Sequence, residues 1–393
     1  MDREKEAWEE LERSSVNCGS RWLLGGVFLL SIFSVFAIDL WHPYGVRDAV
    51  RNFAERSRPL ETGTSGMTKV QAWNQEVIAD IESFEEQIED ESFLSKTIPF
   101  YQWFMVRILG TSGTGRVLVG RDNWYFLKES LETGLGWPGE GSLREADGAI
   151  RRLAGELSQR GIRLILVPIP GKVEMFPGKF SSRFSPGEVL PPSELRERYF
   201  RNWASLPGVE VVSSRELLEG ENQRGRPTFL ERDTHWTPAG MEVVAVELAS
   251  LIRGPLLRPS TETQWVSGFG DLVEMMRLPA SVTAEEEVAV ERVPGSFSGD
   301  LPPEIIFLGD SFAAVYSDAV LGWGENAGLE DLLPMLVGQP VDFRLNYGDP
   351  VSGPGRQLER ILHTRESESM PRVVVWEFAE RFLDEGDWGG LFR

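Results

Sequence analysis

The stretch Ile305-Ile306-Phe307-Leu308-Gly309-Asp310-Ser311-Phe312 decides how the rest of the chain is read. Four apolar residues, two of them β-branched, predict a short strand covered on both faces. The glycine that follows permits a sharp turn, and residues 312–321 predict a helix. A strand turning directly into a helix leaves Ser311 at the helix N-terminus, where unpaired backbone N–H groups and the helix dipole favour a developing negative charge. A serine there is a candidate nucleophile, but it needs a base. The chain has only three histidines, and one stands in Asp233-Thr234-His235-Trp236. In an extended segment Asp233 and His235 share a face. A carboxylate beside an imidazole can fix its tautomer and stabilise its protonated form. His235 would deprotonate Ser311 and Asp233 would orient His235. Each fragment alone also fits a structural role: Asp233 as a loop brace, His235 as packing beside Trp236, Asp310 as a helix cap. His42 and His363 have no ligand-like neighbours, so the pattern predicts no metal.

Outward from this centre, similar apolar runs recur at 162–167, 209–212, 341–345 and 373–376. Helical segments separate them. One is 238–252, with Thr237 as N-cap and Pro238 in the first turn. Another has Leu143, Ala146, Ile150, Leu153 and Leu157 on one face, with Ser142-Leu143-Arg144-Glu145 fitting a capping box and Gly161 closing it. Alternating strands and helices predict an α/β three-layer sandwich on a mainly parallel five-stranded sheet. Ligands in such folds bind beyond the carboxyl ends of the strands, where Ser311 falls. Residues 117–119 and 124–127, flanking Gly120-Arg121-Asp122-Asn123, predict a hairpin. The acidic stretch Ala284-Glu285-Glu286-Glu287 reads as a solvated loop.

The amino-terminal part is different in character. Residues 22–38, WLLGGVFLLSIFSVFAI, carry no charge, and Trp22 and Trp41 flank them like interfacial aromatics. This is the short end of spanning length, about 17–25 residues. A buried core helix or a cleaved signal peptide, with Val35-Phe36-Ala37 at the cleavage site, are the other readings. The expected organisation is a cytoplasmic tail at 1–21, a transmembrane signal anchor at 22–41, a juxtamembrane helical segment and linker at 42–115, and the main domain at 116–393. That arrangement makes the protein a single-pass component of the cell membrane with its catalytic domain extracytoplasmic, periplasmic or at the cell surface. Within the juxtamembrane part, residues 70–94 predict an amphipathic helix and Thr111-Ser112-Gly113-Thr114-Gly115 a linker.

Composition bounds the function. A net charge of −21 over 393 residues argues against a nucleic-acid binder. A single cysteine, Cys18, excludes intramolecular disulfides and any CxxC pair.

Six short segments together resemble the SGNH-hydrolase-like polysaccharide O-acetyltransferases, the alginate O-acetyltransferase AlgJ/AlgX-like group. They are Gly120-Arg121-Asp122-Asn123-Trp124-Tyr125-Phe126-Leu127; Val167-Pro168-Ile169-Pro170-Gly171-Lys172; Asp233-Thr234-His235-Trp236-Thr237; Gly270-Asp271-Leu272 with Met275; Gly309-Asp310-Ser311-Phe312; and Trp376-Glu377 with Glu380-Arg381. They span about two thirds of the chain. Ordinary SGNH esterases carry the serine block first and the histidine block after it, so this order is permuted.

The resemblance implies a catalytic triad of Ser311, His235 and Asp233, and an oxyanion hole built from the Ser311 backbone N–H and another loop. Asn346-Tyr347-Gly348 supplies that loop's candidates, Asn346 and Gly348, and reads equally as a polar turn. Lys172 and Arg381 match without an assigned role and are expected at the surface or bracing loops. Residues 279–303 form a long insertion that the resemblance does not align. The implied activity is transfer of an acetyl group to a cell-envelope or exported polysaccharide through an acyl-serine, with no cofactor and with a membrane-bound O-acyltransferase partner as donor. Two alternatives stay open: a carbohydrate acetylesterase with the same triad, and a non-catalytic glycan-binding subunit of a secretion complex.

Overall fold

The computed structural model describes residues 93–135, 140–254, 257, 260–293, 303–364 and 370–392. The expected tail, the membrane span and most of the 70–94 helix lie outside them. Among the described residues no helix is long and apolar enough to cross a membrane. The chain divides into two compact units, Met1–Tyr101 and Gln102–Arg393. The site lies in the second, and the following concerns that unit.

Its centre is a five-stranded sheet. The strands are β3 (Arg163–Ile169), β4 (Val209–Val211), β7 (Ile305–Gly309), β8 (Val341–Leu345) and β9 (Val373–Ala379), in the order β4-β3-β9-β7-β8. All four pairings are parallel. The expected strands are therefore all present, and the sheet is wholly parallel. Two further pairs flank it: the hairpin β1 (Val117–Val119) with β2 (Tyr125–Leu127), and the antiparallel β5 (Glu262–Gly268) with β6 (Glu286–Arg292). In the first hairpin Asp122 and Asn123 both take positive φ, as the Gly-Arg-Asp-Asn turn suggested.

Helices cover the sheet in two groups. Ser214–Gln223, Pro238–Arg253 and Leu329–Val337 pack in succession on one another and reach β3 and β8. Glu140–Gln159 packs on β3 and against Glu194–Ala204, while Ser352–Thr364 packs on β7 and β8. The core is continuous through both layers. β7 and β9 are buried along their whole length, whereas the edge strand β8 is half-buried. That gradient explains the unbroken apolar run in β7 and the mixed Val-Asp-Phe-Arg-Leu of β8.

Several local expectations change. The helix 140–159 begins at Glu140, so Ser142 lies within its first turn and does not cap it. Thr237 does cap its helix, accepting a hydrogen bond from Gly240 N–H at 3.3 Å. The helix expected at 312–321 is a single turn, Ser311–Ala314, followed by a separate 3₁₀ turn at Ala319–Leu321. Asp318 causes the interruption by accepting the Val320 N–H and starting that second turn. The Ala284–Glu287 stretch is not a free loop. Glu286 opens β6 and accepts the backbone N–H groups of Glu231 and Arg232.

Candidate active site

Ser311 stands immediately beyond β7, at the first position of its one-turn helix, with Asp310 as N-cap. Asp233 and His235 lie in a loop that is bent, not extended. The Leu230 N–H donates to the His235 carbonyl at 3.1 Å, and Phe229 bridges Trp236. The two side chains share a side because the His235 backbone N–H donates to Asp233 Oδ1 at 2.9 Å, a closed loop two residues wide.

The structure brings the three residues into one hydrogen-bonded chain. Asp233 Oδ1 lies 2.6 Å from His235 Nδ1, and His235 Nε2 lies 2.7 Å from Ser311 Oγ. With the Nδ1 proton held by the carboxylate, Nε2 is left as acceptor and the serine hydroxyl donates to it. Asp233 is fully buried, while His235 and Ser311 keep 5% and 7% of their surface. Phe312 packs against the imidazole with ring centroids 4.9 Å apart, and Trp236 meets the same phenyl edge-on at 5.2 Å. The Tyr316 hydroxyl donates to the Trp236 carbonyl at 2.8 Å and fixes the far side of the loop.

Asp233 is held as an anion by more than histidine. Its Oδ2 accepts the Trp323 indole N–H at 2.8 Å and the Asp271 backbone N–H at 3.0 Å. Burial alone would raise its pKa, but His235 and these donors outweigh burial and hold it at about 2. Burial likewise opposes a charged His235. The facing Asp233, with Asp271 and Asp310 farther off, more than reverses that, so its pKa is raised and its basicity increased.

Asp271 accepts the Thr234 N–H at 2.8 Å and the Thr234 hydroxyl at 2.5 Å. Burial, then the nearby Asp233 charge, lift it to about 6. Asp233, His235 and Asp271 present ligand atoms within 4.8 Å of one another. Those atoms face N–H and O–H donors that a cation would have to displace, so the donor set suits proton chemistry better than a metal.

The Ser311 backbone N–H, at the first position of its helical turn, has no partner among the described residues, which leaves it free to bind an oxyanion. Asn346 and Gly348 are not joined to this chain of bonds. The Asn346 N–H donates to the Gly309 carbonyl, and its side-chain oxygen accepts the Gly348 N–H at 3.2 Å. The two backbone N–H groups expected from this turn therefore already have partners.

Lys172 is buried, not a surface residue. Its ammonium donates to the carbonyls of Tyr125, Glu231 and Asp233 at 2.7, 2.8 and 3.0 Å, locking the β1–β2 hairpin to the aspartate's own peptide. Behind Thr234 and Phe312 is a cavity of about 20 Å³, lined by Lys172, Glu174, Arg196, Glu380 and Arg381, which holds no more than a water. There Arg196 joins Glu174 at 3.2 Å to Glu380 at 2.7 Å, tying the short helix Lys172–Met175 after β3 to the loop after β9.

Sequence alone gave no role here to Trp323, nor to Asp271 and Glu377, although the last two stand in segments that carry the family resemblance. For Glu377 a signal was present, a carboxylate inside the buried run Val373–Ala379. For Trp323 nothing local announces it.

Residues 117–380 match the family model described as the SGNH hydrolase-like domain of the acetyltransferase AlgX. The probable alginate O-acetylase AlgJ of Pseudomonas aeruginosa is 25% identical over 303 residues, covering 69% of this chain and 71% of that protein. Its counterpart from Pseudomonas putida is 27% identical over 290 residues, covering 70% and 72%. The solved O-acetyltransferase domain of P. putida AlgJ superposes with a TM-score of 0.51 at 25% identity, over 68% of this chain and 92% of that domain.

Proposed function

Since the chain belongs to the SGNH hydrolase-like, AlgX-type acetyltransferase family, we propose that it is a serine O-acetyltransferase acting on hydroxyls of a cell-envelope or exported polysaccharide. The observation that carries this reading is the hydrogen-bonded chain from Asp233 through His235 Nε2 to Ser311 Oγ. Ser311 Oγ attacks the acetyl carbonyl as its proton passes to His235 Nε2. The oxyanion forms beside the Ser311 N–H, and the leaving group takes the proton as it departs from the acetyl-serine. A sugar hydroxyl then gives its proton to His235 and attacks the ester. The product is the acetylated sugar, and Ser311 recovers its proton. Asp233, held anionic by four donors, stabilises the imidazolium in both halves.

The apolar segment 22–38 supports a membrane anchor with the catalytic unit outside the cytoplasm. Acetyl-CoA is absent from that compartment, so the donor would be a membrane-bound O-acyltransferase partner. The relatives are named for alginate. The net charge of −21 weighs toward an acceptor less anionic than a polyuronate.

The test is intact-mass spectrometry of the detergent-solubilised full chain mixed with p-nitrophenyl acetate. Wild type is expected to gain one acetyl group and Ser311→Ala none. Added glycan should then discharge the adduct as acetylated sugar. Equal adduct in both proteins would refute Ser311 as nucleophile. Release as free acetate only, with glycan present, would make the protein an esterase.

A further inference from the structure

Beneath the Gly309–Asp310–Ser311 turn lies a second carboxyl that the chemistry above does not use. The register sets Leu308 of β7 against Trp376 of β9, so Glu377 comes up beside the Gly309–Asp310 peptide. Glu377 is fully buried, and its Oε2 accepts the Asp310 N–H at 3.1 Å. It occupies space that exists only because residue 309 has no side chain: a Cβ there would stand 2.7 Å from that oxygen. Asp310 in turn caps the serine's helical turn. Its Oδ1 accepts the Phe312 N–H at 2.8 Å, and its Oδ2 faces the Ala379 N–H at 3.4 Å. Glu377 Oε1 is buried with no hydrogen-bond partner among the described residues.

We propose that Glu377 is a positioning residue for Ser311: a neutral acid that fixes Asp310 and, through it, the serine's oxygen and backbone N–H. It also limits the negative charge beside the forming oxyanion to one carboxylate. This rests on the reading of Ser311 as nucleophile. Two carboxyls packed this closely away from water do not both ionise. Burial first, then the charge of Asp310, push Glu377 well above the usual carboxylate range. The charged groups facing the pair are Arg381, from the loop after β9, and His235, which acts on Asp310 from the 230–236 loop. The neutral form is therefore the working form. As pH rises through its raised pKa, Glu377 loses its proton, a second negative charge appears beneath the serine, and acylation falls.

Glutamine reproduces the neutral acid: its carbonyl can accept the Asp310 N–H and its amide can donate to the Asp310 carboxylate, but it cannot ionise. The experiment is the rate of the Ser311 acetyl adduct formed from p-nitrophenyl acetate, followed by intact mass against pH for the full chain, Glu377→Gln and Glu377→Leu. The Gln variant is expected to stay within about threefold of wild type at neutral pH and to lack the alkaline fall. The Leu variant should be slowed by at least about tenfold, since it leaves the Asp310 groups unpaired. If the Leu variant does not fold, the Gln profile alone decides. A Gln variant slowed as much as Leu, or one that keeps the alkaline fall, would overturn the proposal. Absence of adduct in wild type would overturn this proposal and the serine reading together. Normal wild-type acylation with variants indistinguishable from it would overturn this proposal alone.

Discussion

Replacing Gly270 with alanine should disable the site although residue 270 touches neither serine nor histidine. Gly270 has φ 88° and ψ 148°, a backbone region that side chains resist by about 1–3 kcal/mol. Its position is also closed. A Cβ would lie 2.4 Å from the Arg232 carbonyl oxygen, 2.7 Å from the Arg232 carbonyl carbon and 3.1 Å from the Asp233 nitrogen. All three are backbone atoms, so no side chain can swing away, and one of the two loops must move.

Either movement breaks the Asp271 N–H bond to Asp233 Oδ2, a bond to a charged acceptor of the kind that contributes about 1.5–3 kcal/mol. A displacement on the order of 1 Å in catalytic geometry costs about a hundredfold in rate. The combined strain and lost bond, about 2.5–6 kcal/mol, should lower Tm by on the order of 10 °C. Gly225→Ala is the control. It has φ 79° and no atom within 4 Å of the added Cβ, so it carries the backbone strain without the collision.

The assay pairs thermal denaturation with the rate of acetyl-serine formation. Gly270→Ala should be slowed by about a hundredfold even well below its Tm, while Gly225→Ala should acylate normally. A Gly270→Ala protein acylating at the wild-type rate would refute the idea that the 270–271 backbone holds Asp233 in place.

Two further predictions concern charge. Acylation needs neutral His235, so its rate should rise with pH through the raised pKa of that residue. Asp233→Asn removes the main group opposing burial, so the acid limb should move to lower pH while the plateau falls by orders of magnitude. An unmoved limb would show that Asp233 does not govern His235. The sign for stability is opposite for the two partners. The contribution of Asp233, whose pKa is lowered to about 2, is present above its unfolded value and lost as pH falls toward 2. That of His235 is present below its unfolded value and lost as pH rises through its folded one. Lys172→Met would leave the Tyr125, Glu231 and Asp233 carbonyls without their donor. It should lower unfolding free energy by at least about 2–3 kcal/mol in denaturant titration; an unchanged midpoint would remove Lys172 as the brace.

The sheet was readable because each of its strands is a short apolar run between turn signals, and both faces are covered. That Asp233, His235 and Ser311 would lie together was readable because histidine is scarce and the pattern Asp-Thr-His-Trp stands out against that scarcity. What sequence did not reveal depends on contacts between distant segments. Ser142 carries every local mark of a cap, yet the chain is already helical at Glu140. Ser311 was expected to open a helix ten residues long, but Asp318 supplies a competing cap. Trp323 reaches Asp233 from ninety positions along the chain. The acidic residues 284–287 read as solvent-facing, yet Glu286 holds two N–H groups of the loop that carries Asp233. No composition or periodicity encodes such pairings.

The strand order β4-β3-β9-β7-β8 has a consequence for the birth of the molecule. β9 lies between β3 and β7, and it follows all the other strands in the chain. As the polypeptide leaves the ribosome, β3 can pair with β4 and β7 with β8, but these halves have no edge in common until Val373–Ala379 emerges between them. That same segment delivers Glu377 and Ala379 to the turn beneath Ser311. The nascent chain can therefore carry its serine, histidine and aspartate throughout the synthesis of residues 312–379 without holding them in working order. Assembly of the reactive centre and closure of the fold become a single late event.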